Sequence, residues 1–339
     1  MRGTIERFCG GRRYWSVDLD FGSALLRAIE SIPKGRAATC GTVARALGDV
    51  RAAKAVAAWL TDHPSTPGVH RVVTADGTPV LRGAPKLLRK ENARIADGRL
   101  HLEDLVTSLA SVGFLDALRE KQRSSAAFVS DRDEFDRPHV IGGVDAAYDR
   151  RTAYVAAVSC NLPGLSTIDI VESTVDASFP YIPTYLGFRE GPGLEAIAHR
   201  LHPRPDVLLV DGHGQLHPAR FGVACSVGLD LNLPTIGIAK HPLVGRALPE
   251  RRTRSDATPI ELEGRILGFA WTPPGSARPL YISVGHRISL DTALDIVIRT
   301  TRGTSPDPIR RADRAAKKRK ETEKLKRGST STSAKPRTR

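Results

Sequence analysis

Cysteine, aromatic residues and long apolar runs are all scarce in this chain of 339 residues. The four cysteines, Cys9, Cys40, Cys160 and Cys225, are scattered and form no CxxC pair. That argues against a zinc site or a disulfide framework and suits a reducing compartment. No stretch approaches the ~18 apolar residues of a membrane span, and the opening Met-Arg-Gly-Thr-Ile-Glu-Arg lacks an apolar signal core. The expectation is a cytoplasmic protein without a membrane partner. What the chain does have is length for two domains and a formal charge of +14, which points to a polyanion, nucleic acid first. The charge is uneven. From Arg310 to Arg339 there are 13 basic and 3 acidic residues, so most of the excess lies in the tail.

The pattern is clearest in Pro205-Asp206-Val207-Leu208-Leu209-Val210-Asp211-Gly212-His213-Gly214. A short apolar run closed by Asp-Gly reads as a strand buried on both faces, with Asp211 at its carboxyl end. Open α/β sheets place their ligands there, and Gly212 and Gly214 would let a substrate backbone approach. Asp-Gly is also an ordinary turn pair, and the stretch alone leaves both readings open.

The front of the chain reads as helical. Residues 16–30 carry apolar residues at helical spacing, stopped by Ile32-Pro33-Lys34-Gly35. Thr42–Gly48 is a short amphipathic helix closed by glycine, and Arg51–Leu60 is a second, Ala-rich helix. A helix-turn-helix and a generic helical hairpin both explain that pair. Further on stand Pro67-Gly68-Val69-His70-Arg71-Val72-Val73 and Ala75-Asp76-Gly77-Thr78-Pro79.

Taken in order from about Val17 to Arg94, these blocks resemble the DNA-binding domain of O6-alkylguanine-DNA alkyltransferases. In that family Pro-Cys-His-Arg carries the alkyl-accepting cysteine; here Val69 and Gly68 replace Cys and Pro, so alkyl transfer is excluded. The resemblance places the intercalating residue at Lys54, a nucleotide-flanking tyrosine at Cys40, and further DNA contacts at His70 and Arg71. It implies a module that binds DNA without repairing it.

Residues 98–112 lack a strong pattern and read as a linker, with the second domain over 113–309. Leu115–Ala126 is an amphipathic helix. His139–Tyr148, Thr152–Cys160 and Thr167–Val175 read as three strands joined by turns, followed by helices alternating with the buried strands 207–210 and 235–238. A strand–turn–strand–turn–strand order followed by alternating helices suggests a mixed sheet flanked by helices, the ribonuclease H-like α/β class. Acids within strands, such as Asp145, are costly unless compensated, and two side by side repel unless a divalent cation lies between them. Glu190 is a third candidate ligand. An oxygen-only cluster suits Mg²⁺, with Mn²⁺ as a substitute.

Seven blocks in order resemble endonuclease V: Ile-Gly-Gly-Val-Asp145, Phe179-Pro180-Tyr181-Ile182-Pro183, Phe188-Arg189-Glu190, Val210-Asp211-Gly212-His213-Gly214, His217-Pro218-Ala219-Arg220, Pro234–Lys240 and Gly285–Asp291. The resemblance implies Mg²⁺-dependent nicking of DNA at the second phosphodiester bond 3′ to deoxyinosine. It assigns Asp145, Glu190 and Asp211 to the metal, His286 to completing the centre and Lys240 to the scissile phosphate. Pro180, Tyr181 and Ile182 become a strand-separating wedge, and Gly212 and His217 nucleic-acid contacts. His213 departs from the family's usual glutamine. Other damaged bases in DNA, inosine in RNA, and a non-catalytic lesion-binding scaffold are the alternatives the sequence leaves open. A monomer is expected. Residues 310–339, nearly devoid of apolar side chains after Leu325, read as a disordered basic tail that clamps phosphates.

Overall fold

The computed structural model describes residues 19–332, apart from 252 and 254. Val17 and Cys9, both used in the sequence reading, lie outside the described residues, as does the end of the tail from residue 333. The contacts divide the chain into two units, Val17–Lys121 with Phe179–Tyr185, and Gln122–Ser178 with the chain from Leu186 onward. No helix among the described residues is long and apolar enough to cross a membrane.

The first unit opens with α1 (Phe21–Glu30), whose N-terminus is capped by Asp20 accepting from the Ser23 N–H at 2.9 Å. Phe21, Ala24, Leu25, Ala28 and Ile29 give it one continuous buried stripe. Next come β1 (Ala37–Thr39) and α2 (Cys40–Leu47), the latter capped by Thr39 and closed by Gly48 at φ 111°. At Gly48 a Cβ would collide with the Asp116 carboxylate, so both the left-handed turn and the lack of space require glycine. A single 3₁₀ turn at Val50–Ala52 leads into α3 (Ala53–Asp62).

Then follow β2 (Val72–Val73), α4 (Ala84–Lys90), the hairpin β3 (Ile95–Ala96) and β4 (Arg99–Leu100), and β5 (Leu105–Val106). β1 is the centre of a small sheet, parallel to β2 on one side and β5 on the other. Residues 98–112, read as a linker, therefore supply two strands to this unit. Leu100 and Leu105 pack with Ala37, Val73 and Leu88, and Arg94 grips Asp104 at 2.7 Å. Strands of two residues are too short for alternation to reveal them. The boundary between the units falls within α5 (Phe114–Ala126).

The second unit is a nine-stranded sheet. β6 (Val140–Asp149), β7 (Thr152–Asn161) and β8 (Thr167–Asp176) form the expected antiparallel meander. After α6 (Leu186–Ala198) comes β9 (Val207–Asp211), then α7 (Val223–Leu231) and β10 (Thr235–Ala239). β9 lies between β6 and β10, parallel to both. β11 (Arg246–Ala247), β12 (Thr258–Leu262), β13 (Arg265–Trp271) and β14 (Leu280–His286) extend the sheet antiparallel beyond β10, giving the order β11-β12-β13-β14-β10-β9-β6-β7-β8. Two last helices follow, α8 (Leu290–Thr300) and α9 (Asp307–Thr332). Leu209 joins one core with Ile141, Ile236 and α8, while Leu208 and Val210 join another with α6 and α7. Burial on both faces explains why β9 is uniformly apolar. The fold is the ribonuclease H-like mixed sheet.

The basic tail departs from its expected disorder. α9 runs on from Asp307 past Arg310, with Ile309, Ala312, Ala315 and Ala316 buried along one side. Small residues let the helix lie close on β6 and β7, where Ala315 and Ala316 pack with Ala147 and Ala156. A stripe this thin, set among so many charges, does not register as amphipathic. Gly143 of β6 makes the close approach possible, since a Cβ there would meet the backbone of Pro308 at 2.4 Å and of Ile309 at 2.6 Å. Gly143→Ala is accordingly expected to lower stability by about 1–3 kcal/mol. Chemical denaturation checks this, and an unchanged midpoint would show that α9 is not seated there.

Candidate active site

Backbone register brings the acids together. Val144 of β6 pairs with Val210 of β9, so the next residues, Asp145 and Asp211, stand side by side on one face, where β9 ends against the middle of the longer β6. Glu190 comes from the first part of α6, beside the same edge. Burial, then the negative charge of Asp211, pushes the Asp145 carboxyl well above the usual carboxylate range. Glu190 is pushed up to about 7, again by burial first, with the Tyr148 hydroxyl opposing the shift and Asp211 adding to it.

Two further groups complete the cluster. Lys240, just past β10, donates to Asp211 Oδ2 at 2.6 Å. Burial disfavours its ammonium, but Asp211, with Asp145 and Asp313, raises its pKa overall. Asp313 is the residue that sequence reasoning missed. It projects from α9 near enough for its charge to raise the Asp145 pKa, and Lys317, one turn on, donates to its Oδ2 at 2.7 Å. The Ala312/Ala315/Ala316 stripe that seats α9 is the signal that could have revealed it.

The donor set fits a hard divalent cation. Its ligand atoms would all be carboxylate oxygens, and they share more negative charge than their surroundings neutralise. Among the described residues, as they stand, no three His, Cys, Asp or Glu side chains are drawn tightly enough around one point to hold a metal ion. Lysines occupy Asp211 and Asp313 instead.

His286 is not brought to this cluster. β14 runs antiparallel to β10 and pairs His286 with Thr235, at the end opposite Ala239 and Lys240. Four residues of strand separate the two ends, about 13 Å of backbone. The His286 ring is buried, its pKa is lowered to about 4 by burial and by Arg287, and its Nδ1 accepts from the Ser130 N–H at 3.2 Å. His217 is likewise buried, and its Nδ1 accepts from the Ala219 N–H at 3.1 Å. Gly212, at φ 150°, faces α7, where a Cβ would strike Val223 Cγ1 at 2.4 Å; its smallness serves packing. His213, held neutral by burial with a pKa lowered to about 4, keeps a buried Nδ1 without a partner among the described residues.

In the first unit, Lys54 is exposed on α3, as a DNA contact requires. His70 and Arg71 are turned to Glu91 instead: Arg71 grips both carboxylate oxygens, at 2.7 and 2.9 Å, and His70 Nε2 lies 3.1 Å from Oε1. Val69, in the acceptor position, is buried, and Gly68 before it takes φ 83°, closed to proline. Burial pushes the Cys40 thiol up to about 11, so it stays protonated. Of the expected wedge, Tyr181 is 64 % exposed whereas Ile182 is fully buried, with Pro180 between these extremes.

Comparison with known proteins follows these divisions. Residues 123–314 match the family model of endonuclease V, and residues 20–98 match that of the 6-O-methylguanine DNA methyltransferase DNA-binding domain. Endonuclease V of Roseiflexus castenholzii is 42 % identical over 186 residues, 54 % of this chain and 83 % of that protein. The crystal structure of human endonuclease V is similar with a TM-score of 0.57 and 33 % identity, over 62 % of this chain and 99 % of that one. Ciona intestinalis endonuclease V, in complex with a 24mer DNA containing an inosine followed by a ribo-adenosine, gives a TM-score of 0.55 and 27 % identity, over 62 % and 98 %.

The raised Glu190 pKa has a measurable consequence. Between about pH 4.5 and 7 the folded protein holds a proton on Glu190 that the unfolded chain has released, so stability falls as pH rises through that window and then levels off. Glu190→Gln should therefore raise the melting temperature of the metal-free protein at pH 8 by roughly 2–4 °C, and change little at pH 4. Equal effects at both pH values in thermal melts would contradict the raised pKa.

Proposed function

The chain belongs to the endonuclease V family, and on that basis we propose that it is a DNA-repair endonuclease that nicks DNA at the second phosphodiester bond 3′ to deoxyinosine, with Mg²⁺. The observation that carries this reading is the meeting of Asp145, Asp211 and Glu190, with Asp313 behind them, at the carboxyl end of β9 beside the middle of β6. In this reading Asp145, Asp211, Glu190 and Asp313 hold the cation. When bound, such a cation activates water and stabilises the leaving oxygen of a phosphodiester. Lys240 leaves Asp211 to neutralise the scissile phosphate, a short move for a long, flexible ammonium side chain. The exposed Tyr181 ring presses into the base stack and offsets part of the cost of extruding the damaged base.

The first unit adds DNA affinity without chemistry of its own, because no nucleophile stands at Val69 and the Cys40 thiol is not ionised. Lys54 on α3 and the exposed lysines of α9 add phosphate contacts, a contribution that salt screens. The Ciona relative was captured on DNA with a ribonucleotide after the inosine, which favours a second reading, cleavage of inosine in RNA.

The deciding experiment incubates the full chain with Mg²⁺ and a duplex bearing one deoxyinosine, beside the same inosine in RNA. A nick one nucleotide beyond the lesion is expected, with Asp211→Ala and Asp313→Asn each slower by at least about a hundredfold. Preferred cleavage of the RNA would favour the second reading. Undiminished nicking by Asp313→Asn would remove that residue from the centre.

A further inference from the structure

The segment that carries Tyr181 is fastened by its two ends and its middle within the first unit. Phe179 stacks on Phe114 with centroids 6.5 Å apart, and Phe114 meets Phe21 of α1 edge-on at 6.3 Å. Ile182 and Tyr185 are fully buried, and the Tyr185 N–H closes a turn on the Ile182 carbonyl at 3.0 Å. Only Tyr181 projects. The polar end of this anchor is Asp49, in the turn between α2 and α3. The Tyr185 hydroxyl donates to Asp49 Oδ2 at 3.1 Å. Arg119 donates to the Tyr185 oxygen at 3.0 Å, to Asp49 Oδ2 at 2.9 Å and to the Gly48 carbonyl at 3.1 Å. The same carboxylate accepts from the Arg51 N–H at 3.0 Å and from its guanidinium at 2.6 Å, which caps the 3₁₀ turn entering α3.

We propose that Asp49 and Tyr185 are positioning residues for duplex incision: one carboxylate sets both the entry of the recognition helix α3 and the place of the loop that presents Tyr181. The inference rests on the reading of Tyr181 as the strand-separating residue. Apolar packing of Phe179 and Ile182 would retain the loop by itself, but contacts of that kind do not fix orientation. A network of a buried phenol and a buried carboxylate with two partly exposed guanidiniums does, because each buried partner left unsatisfied is costly and the geometry of each bond is narrow. A duplex that docks on α3 therefore meets Tyr181 at a set distance along the helix. Single-stranded DNA has no stack to part and gains nothing from this register.

The test uses the full chain and its variants Tyr185→Phe, Asp49→Asn and Tyr181→Ala, on a deoxyinosine duplex and on the same lesion in a single strand. The readouts are kcat/KM on each, and the fluorescence of 2-aminopurine placed beside the lesion in the duplex. Tyr185→Phe and Asp49→Asn are expected to slow duplex nicking roughly tenfold. They should also diminish the 2-aminopurine rise on binding and leave single-strand nicking unchanged; Tyr181→Ala should slow duplex nicking and diminish the rise likewise. If Tyr181→Ala nicks the duplex as the parent does, the wedge reading itself fails. If Tyr181→Ala alone is impaired, the wedge stands and the anchor is overturned. Equal losses on both substrates by Tyr185→Phe would also overturn it, since a loop that only maintains the fold would affect both alike.

Discussion

Repulsion between carboxylates on two neighbouring parallel strands is the constraint around which the second unit is organised. The parallel register of β6 and β9 keeps Asp145 and Asp211 together, and burial strips much of the water from Asp145. The protein answers with counter-charges and with protons. Lys240 sits on Asp211, Lys317 on Asp313, and Glu190 and Asp145 titrate high. Such a centre is destabilising by itself and is stabilised by whatever brings positive charge, the usual physical signature of a site built for a cation and a polyanion together.

Close backbone packing makes this crowding possible. Gly143 lets α9 come down on β6, and Gly212 lets the strand end turn beneath α7; in both places a Cβ would overlap a neighbour. Because α9 is seated, Asp313 reaches the cluster while the same helix also carries exposed basic residues such as Arg314 and Lys318. In the proposed function one helix thus contributes an acid to the chemistry and cations toward a phosphate backbone, two roles that composition merges into a single basic tail.

What the sequence revealed follows from where each signal lies. β9 was legible because burial on both faces makes it uniformly apolar and its acid closes the run. Asp145, Glu190, Asp211 and Lys240 were legible because each sits inside a distinct motif block. Asp313 was not, because its four-residue apolar stripe is outnumbered by charges. His286 was misplaced for a different reason: a motif gives neighbours along the chain but not which end of an antiparallel strand meets the site. Long-range pairs were equally hidden. Nothing near His70 and Arg71 announces that Glu91, twenty residues on, will take them away from the surface.

The two units divide the work unevenly. In the first, the acceptor position holds a buried valine after a glycine whose backbone excludes proline, while a clamp of His70, Arg71 and Glu91 still braces that turn. The clamp has geometry and no nucleophile to serve, so its remaining role is rigidity. The second polar network of this unit, Asp49 with Arg51, Arg119 and Tyr185, has the same character: its groups are buried or half-buried and closely hydrogen-bonded. A domain with no nucleophile at that turn but with stiff polar joints is suited to hold other parts in register. The part it holds is the loop bearing the exposed Tyr181, which in the proposed function would tie recognition of the duplex to its opening without a catalytic group of its own.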